Sequence, residues 1–441
     1  MPLDRRMLEE LGIENVEELF SDIPEKIRIE GIPLPQGKSE MEVIRTVQDM
    51  LSKNLTAEQA PCFLGGGIYH HFIPSAVSTI TSRSEFLTSY TPYQAEISQG
   101  MLQSMFEYQS MISELTAMDV VNSSNYDWST ALGEAATMCH RILPKKTFLV
   151  PEAMSWEKRS VLRNYVSGPE LNIVEYSYDP YTGEADLEDI RQKMTHDVCG
   201  LYIEVPNLFG IIDSRAPLLK KEFPEVPLVV GVNPLSLALV RPPGEYGADI
   251  VIGEGQSLGL PMNVGGPLLG LFACTLEHVR KMPGRLIGLT KDNTGRRAFC
   301  MTLQTREQHI RRSKATSNIC TNEALLAIAV SAYLGMVGSK GLRALARINM
   351  RNARSLMQRI DELDGFTSPF FNGAHFNEFV VKTTVRPEKL NKLLLRHGII
   401  GGMPMHRHLP RLNDHMLLTT TEMNSAEDID RLIVALKEVV Q

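Results

Sequence analysis

The sequence predicts an α/β protein built on a mainly parallel sheet, followed by a smaller α+β region. Two observations carry this. Short apolar runs at 147–151, 171–177, 199–205, 226–232, 248–252 and 268–275 alternate with polar stretches, and they begin 20 to 28 residues apart. That spacing leaves room for a crossover helix between parallel neighbours, which a tight hairpin does not need. After position 321 the rhythm changes to a long helical region, then strand-like segments at 376–383, 399–405 and 415–421.

Taken in order, residues 1–60 read as a polar helical arm, interrupted by Ile32-Pro-Leu-Pro-Gln-Gly37. Such an arm has little core of its own and is expected to wrap a neighbour or the main domain. A large domain is expected over 61–320. From Ile97 the apolar residues fall at 97, 101, 105, 108, 112 and 115, one stripe of a long helix. A strand at 118–122 brings the sheet to seven. A helix of small residues opens at Ser129-Thr130-Ala131-Leu132-Gly133-Glu134, and crossover helices are expected at 155–167 and 186–194. The gap 253–267 is rich in Gly and Pro and too short for a full crossover helix, so the final strand is expected to run antiparallel. In the third region, 321–441, a helical stretch 322–361 breaks at Gly338-Ser-Lys-Gly341. Helices follow at 386–396 and 426–439, the last opened by the capping box Ser425-x-x-Asp428.

Composition sets outer limits. With 43% hydrophobic and 22% charged residues and a net charge of −7, the chain is an ordinary globular protein with no dominant basic face, which argues against nucleic acid. The N-terminal residues lack the apolar core of a signal peptide. The greasiest stretch, 324–338, is short of the roughly 20 apolar residues a membrane span needs. Cysteines 62, 139, 199, 274, 300 and 320 are scattered with no Cys-x-x-Cys, as expected of reduced thiols in the cytoplasm.

Several segments can carry chemistry. Ser129 and Thr130 follow a strand and open a helix, a position that presents N–H groups and hydroxyls to a phosphate, or that simply caps a core helix. Gly65-Gly66-Gly67 reads as a turn or a phosphate cradle. His70-His71 and His406-x-His408 lack a third ligand at metal spacing, so no metal site is expected. The densest polar segment runs from Gln304 to Cys320 and holds His309, Arg311, Arg312, Lys314, Thr316 and Asn318. Its cations suit an anionic target such as phosphate or carboxylate.

The order Val226-Pro-Leu-Val-Val-Gly-Val-Asn233, Gly247-Ala-Asp-Ile-Val-Ile-Gly-Glu-Gly-Gln-Ser-Leu-Gly259 and Gly265-Gly-Pro267 resembles the cofactor-bearing half of pyridoxal-phosphate enzymes of the aminotransferase-like fold (fold type I). In such enzymes an acid on the first strand pairs with the pyridine nitrogen, and a lysine after the second forms a Schiff base. Here no lysine occurs between Lys221 and Lys281, and Gln256 and Ser257 stand in the lysine region. Neither side chain can form an imine. Lys291 and Lys314 are poor substitutes, the first lying in a polar turn well past the Gly-Ala-Asp strand.

Tyr90-Thr-Pro-Tyr-Gln-Ala-Glu-Ile-Ser-Gln-Gly100, Arg241-Pro-Pro-Gly-Glu-Tyr-Gly-Ala-Asp249, Met282-Pro-Gly-Arg-Leu-Ile-Gly288 and the segment 305–320 closely resemble the glycine cleavage system P-protein family, in particular subunit 1 (alpha) of its split form. The resemblance implies a subunit of a glycine dehydrogenase (decarboxylating), in a heterodimer or an α2β2 tetramer. The complex would decarboxylate glycine through a pyridoxal phosphate aldimine on the partner subunit and pass the aminomethyl group to the lipoyl arm of H-protein. It further implies that this chain holds no covalent cofactor. Thr316 and Asn318 would reach the partner's cofactor phosphate, with Ser129 and Thr130 a vestigial phosphate site. Tyr93, His309, Arg311, Arg312 and Lys314 would line a substrate channel or an anion site. The alternative is a structural scaffold that only docks H-protein.

Overall fold

The computed structural model describes residues 5–29, 31–320 and 322–440, with side chains to 438. They form two compact units, Met1–Thr56 and Ala57–Gln441. The first holds α1 (Arg5–Leu11) and α2 (Glu40–Leu51). A reciprocal cap opens α2: the Ser39 N–H donates to the Glu42 carboxylate at 2.8 Å, and the Glu42 N–H to the Ser39 hydroxyl at 3.4 Å.

The second unit begins with α3 (Ser75–Thr81), α4 (Ser84–Leu87) and α5 (Gln99–Thr116), then β1 (Val120–Val121) and α6 (Trp128–Ile142). The βα rhythm follows: β2 (Thr147–Pro151), α7 (Trp156–Ser167), β3 (Asn172–Tyr176), α8 (Leu187–Lys193), β4 (Val198–Val205), α9 (Ala216–Glu222), β5 (Leu228–Val232), β6 (Ile250–Glu254) and β7 (Gly270–Cys274). These seven strands form one sheet in the order β1-β7-β6-β5-β4-β2-β3. Only β7 runs against its neighbours, as the short 253–267 connection predicts. Successive residues of a strand face opposite layers. Leu201, Ile203 and Val205 of β4 thus join Val230 and Val232 against Tyr108 and Ile112 of α5, while Tyr202 joins Val229 and Phe272 against α6 and α7. Cys199 packs there too, turned to that face by a register shift between β2 and β4.

A hairpin that the sequence reading passed over, β8 (Leu286–Lys291) with β9 (Arg297–Thr302), packs on α5 through Gln109, which pairs with the Ile287 backbone at 2.9 and 3.0 Å. Lys291 closes this hairpin opposite Arg297 and is exposed. The short α10 (Gln308–Arg311) precedes α11 (Ala324–Asp361), which breaks at Gly338, φ +60°, where the sequence places the break. Although α11 is long and apolar enough on composition to cross a membrane, Ala327, Val330 and Tyr333 pack into the core beneath the sheet. The chain ends in a four-stranded sheet, ordered β10-β11-β13-β12: β10 (Phe366–Thr367), β11 (Glu378–Thr383), β12 (Met403–Pro404) and β13 (His415–Thr419). It packs with α12 (Pro387–Arg396) and α13 (Ala426–Val440), and Ser425 and Asp428 form the expected cap.

Candidate functional site

In an open parallel sheet, ligands bind beyond the carboxyl ends of the strands. Here that crevice lies past β4, β5 and β6, and it is filled by the chain's own polar groups. Glu204, buried near the end of β4, accepts from Lys158 Nζ at 2.9 Å and from the Tyr202 hydroxyl at 2.8 Å. The Tyr202 hydroxyl in turn accepts from Trp128 Nε1 at 3.0 Å, and Lys158 lies 3.3 Å over the Trp128 ring. Lys158 is the lysine that lines the crevice, and both faces of its charge are taken.

The Schiff-base region is equally occupied. Gln256 is fully buried. Its carbonyl accepts from Tyr69 N–H at 2.9 Å and its amide donates to the carbonyls of Tyr69 and Leu260, each at 2.8 Å. The Ser257 hydroxyl bonds Asn233 Oδ1 at 3.1 Å, so the two positions that correspond to acid and lysine regions hold each other. Beside them, Glu378 accepts from Gly66 N–H, the Tyr69 hydroxyl and the Thr419 hydroxyl at 2.7 to 2.9 Å. Gly65 is required here: a Cβ would sit 1.8 Å from Thr419 Oγ1.

At the start of α6 the residue in the N-cap position is Asp127, not Ser129. The Thr130 N–H donates to the Asp127 carboxylate at 2.7 Å, and the Thr130 hydroxyl accepts from Asp127 N–H at 3.1 Å. The place a phosphate would take is met by the Glu254 carboxyl, which accepts from Trp128, Gln256 and Leu269 N–H at 3.0 to 3.2 Å. Burial pushes this carboxyl up to about 8, against the pull of those three donors.

Pyridoxal phosphate does not fit this crevice. The space left among Tyr69, Trp128, Lys158, Glu204 and Asn233 is about 30 Å³, room for a water or two, whereas ligand sites span roughly 300–1,000 Å³. The imine-forming residue and the phosphate seat are both replaced by saturated protein contacts.

A second polar cluster lies under the 305–320 segment, around Arg285. This buried guanidinium donates to the Cys320 carbonyl at 2.6 Å and the Tyr93 hydroxyl at 3.0 Å, and lies 3.6 Å from the Glu307 carboxylate. His309 packs edge-on against the Tyr93 ring, centroids 6.0 Å apart. Thr316 lines a small cavity with Arg285, Arg306 and Glu307, its N–H bound to the Arg306 carbonyl at 3.0 Å. The structure therefore brings Tyr93, His309 and Thr316 to one place. Asn318, Arg311, Arg312 and Lys314 are exposed on the same segment, and none of the three cations has a carboxylate partner among the described residues. Arg285 and Glu307 were not singled out by the sequence, although Arg285 stands inside the Met282-Pro-Gly-Arg motif. Beneath the segment, Asn122 Oδ1, Ser123 Oγ, Asn125 Nδ2 and Asn322 Nδ2 are buried with no hydrogen-bond partner. Among the described residues no group of His, Cys, Asp and Glu is arranged to hold a metal ion.

The sequence matches the family model described as glycine cleavage system P-protein over residues 3–436. It is 47% identical to the probable glycine dehydrogenase (decarboxylating) subunit 1 of Pyrococcus horikoshii, over 98% of this chain and 97% of the relative. The protein of the same name from Desulfitobacterium hafniense is 44% identical, over 98% and 97%. A crystal structure of glycine decarboxylase (P-protein) of the glycine cleavage system, in inhibitor-bound form, superimposes with a TM-score of 0.91 at 36% identity, covering 100% of this chain and 99% of that one. A cysteine desulfurase from Thermococcus onnurineus, at 15% identity and a TM-score of 0.64, shares the fold.

Proposed function

The chain belongs to the glycine cleavage system P-protein family, and on that premise we propose that it is the non-covalent subunit of a two-subunit glycine dehydrogenase (decarboxylating). A second subunit carries pyridoxal phosphate, glycine is the substrate, and the lipoyl arm of H-protein receives the aminomethyl group. This chain supplies binding groups at the edge of its partner's site. A cytoplasmic setting is supported by six free cysteines.

One observation carries the division of labour. At the imine and phosphate positions of the crevice, the Gln256 and Glu254 side chains are hydrogen-bonded within the chain. The unpaired groups beside them are Asn233 Nδ2 and Asn377 Nδ2, while the cluster under 305–320 holds four buried polar atoms without a partner. Ser123 Oγ, Asn125 Nδ2 and Asn322 Nδ2 are unpaired donors, and a partner's cofactor phosphate or substrate carboxylate supplies an acceptor. Thr316, which lines the cavity, and the exposed Asn318 two residues on are the phosphate contacts in this reading. Tyr93, His309 and Arg285 shape the approach, and Arg311, Arg312 and Lys314 give the rim its positive charge.

The test is Thr316→Ala with Asn318→Ala in the assembled complex. Loss of two contacts to an anion, at about 1.5–3 kcal/mol each, lowers glycine–CO2 exchange or cofactor retention by at least tenfold, with subunit assembly intact. Unchanged exchange and retention would remove this reading. The exposed, unpaired Arg311 and Arg312 favour a second reading, in which the segment only docks H-protein. Under that reading Arg311→Ala with Arg312→Ala weakens H-protein binding, and exchange survives in both double variants.

A further inference from the structure

Beyond its break at Gly338, α11 carries a stripe that neither the crevice nor the Arg285 cluster uses. Arg347, Arg351 and Arg354 lie at spacings of four and three on one helical face, with Met350 and Met357 beside them. This stripe forms one wall of a groove of about 650 Å³, whose other wall is Pro369 and the loop 372–375. All three arginines are exposed, and none has a carboxylate partner among the described residues. Arg359, one turn further on, shows the contrast: it pairs with Asp430 at 2.7 Å. No carboxylate lines the groove, so three like charges a turn apart face it uncompensated, at a cost to the empty state.

The second wall is built and rigid. The Ile212 N–H donates to the Ala374 carbonyl at 2.6 Å and the Phe376 N–H to the Gly210 carbonyl at 3.1 Å, which fixes the loop. A Cβ at Gly373 would lie 2.7 Å from the Thr182 carbonyl, so the close approach needs glycine. His375 lines the groove with its side chain buried (6% exposed), and its Nε2 has no hydrogen-bond partner. Burial pushes this imidazole down to about 4, against a hydrogen bond with Gly373. A neutral ring whose other nitrogen donates to that carbonyl presents Nε2 as an acceptor.

We infer that this groove binds a small organic phosphate of nucleotide size, its phosphates on Arg347, Arg351 and Arg354 and a hydroxyl or amino group of its organic part on His375 Nε2. Guanidinium forks match phosphate oxygens two at a time. Met350, Met357 and Pro369 supply the apolar surface that an organic moiety covers. The volume lies within the range of small-molecule sites, roughly 300–1,000 Å³. The site lies apart from the residues assigned to the partner's cofactor, so it stands or falls without that reading.

Calorimetric titration of the full chain, alone and in the two-subunit complex, with ATP, inorganic pyrophosphate and adenosine tests this. ATP is expected to bind once per chain, pyrophosphate more weakly and adenosine not measurably. Arg351→Ala weakens ATP binding by about tenfold and Arg347→Ala with Arg354→Ala by about a hundredfold, the loss of one and two charge-assisted contacts. These side chains are exposed, so the variants retain the wild-type melting temperature. His375→Phe weakens ATP while leaving pyrophosphate binding as it was. ATP binding that survives removal of all three arginines overturns the site. So does binding by the isolated chain that vanishes in the complex, since a partner subunit then covers the groove.

Discussion

The crevice beyond β4–β6 and the cluster under 305–320 invert the usual relation between position and function. The first sits where aminotransferase-like folds hold their cofactor, yet Lys158, Glu204, Tyr202 and Trp128 close a ring of contacts, and Gln256 spans between Tyr69 and Leu260. The second has no imine-forming group at its centre, yet Arg285 gathers Tyr93, Glu307 and the Cys320 carbonyl beside asparagines that each leave one amide atom unpaired. The imine and phosphate positions of the crevice are filled by bonded side chains, with only Asn233 Nδ2 and Asn377 Nδ2 beside them unpaired, whereas the 305–320 cluster leaves its donors open next to an arginine. Changes in the crevice should therefore cost stability and spare activity, and changes at 305–320 should do the reverse.

Lys158→Ala gives the largest expected effect. It leaves the Glu204 carboxylate, 2% exposed, without its cation, and removing one partner of a buried pair costs about 3–5 kcal/mol. Denaturant unfolding should show this loss, while glycine–CO2 exchange per assembled complex stays at the wild-type level. A variant of unchanged stability that abolished exchange would make the crevice catalytic and end the contrast.

Gln256→Lys restores a lysine to the Schiff-base region and is a smaller perturbation. The new ammonium can still donate to the Tyr69 and Leu260 carbonyls, but the Tyr69 N–H loses its acceptor, at about 1–3 kcal/mol. No room is created for pyridoxal phosphate, so borohydride should trap no glycine-responsive adduct at position 256. A pyridoxyl group found there would show that the crevice is one substitution from holding its cofactor, and that saturation does not exclude it.

Strand rhythm made the large sheet legible, because a parallel strand buried on both faces leaves a short continuous apolar run. The direction of β7 followed from chain length alone, as 253–267 cannot hold a crossover helix. The hairpin β8–β9 was missed because its Leu286-Ile-Gly-Leu-Thr-Lys291 arm mixes a glycine and polar residues into a short alternation. In the crevice, Gln256 and Ser257 were visible as substitutions. Glu254 was hidden within Ile-Gly-Glu-Gly, and Lys158 within an amphipathic helix, since neither has a local signal that says what it will face. The small-residue pattern opens α6 at Ser129, but Asp127, two residues earlier, has the extended backbone and the carboxylate a cap needs. Arg285 lay in plain view beside Met282-Pro-Gly. What singles it out is the convergence of Tyr93, Glu307 and Cys320 from segments far apart in sequence, which only the fold brings about.

The last test reads a slope with pH and asks whether the phosphate seat at α6 is filled by a neutral group or by a charge. Glu254 has an ordinary value of 4.5 and a folded value of about 8. The native chain therefore keeps this proton where the unfolded chain has lost it. Its contribution to stability is greatest at low pH, falls as pH rises past 4.5, and levels off above about 8. The slope over that window is at most about 1.4 kcal/mol per pH unit. Glu422 works in a separate window: burial would raise its carboxyl, but hydrogen bonds from His71, Asn349 and the Phe72 N–H outweigh burial and hold it down to about 2, so its contribution is lost only in acid. Glu254→Gln keeps one acceptor oxygen for the Gln256 and Leu269 N–H donors, leaves the Trp128 N–H without its acceptor, and has no proton to lose. Unfolding curves across the upper window should then be flatter for the variant than for wild type. A wild-type curve as flat as the variant's through the same window would mean that the carboxylate sits at the helix start as an anion, standing in for the phosphate with its charge as well as its shape, and the crevice would then be closed by electrostatics where the present contrast rests on hydrogen bonds.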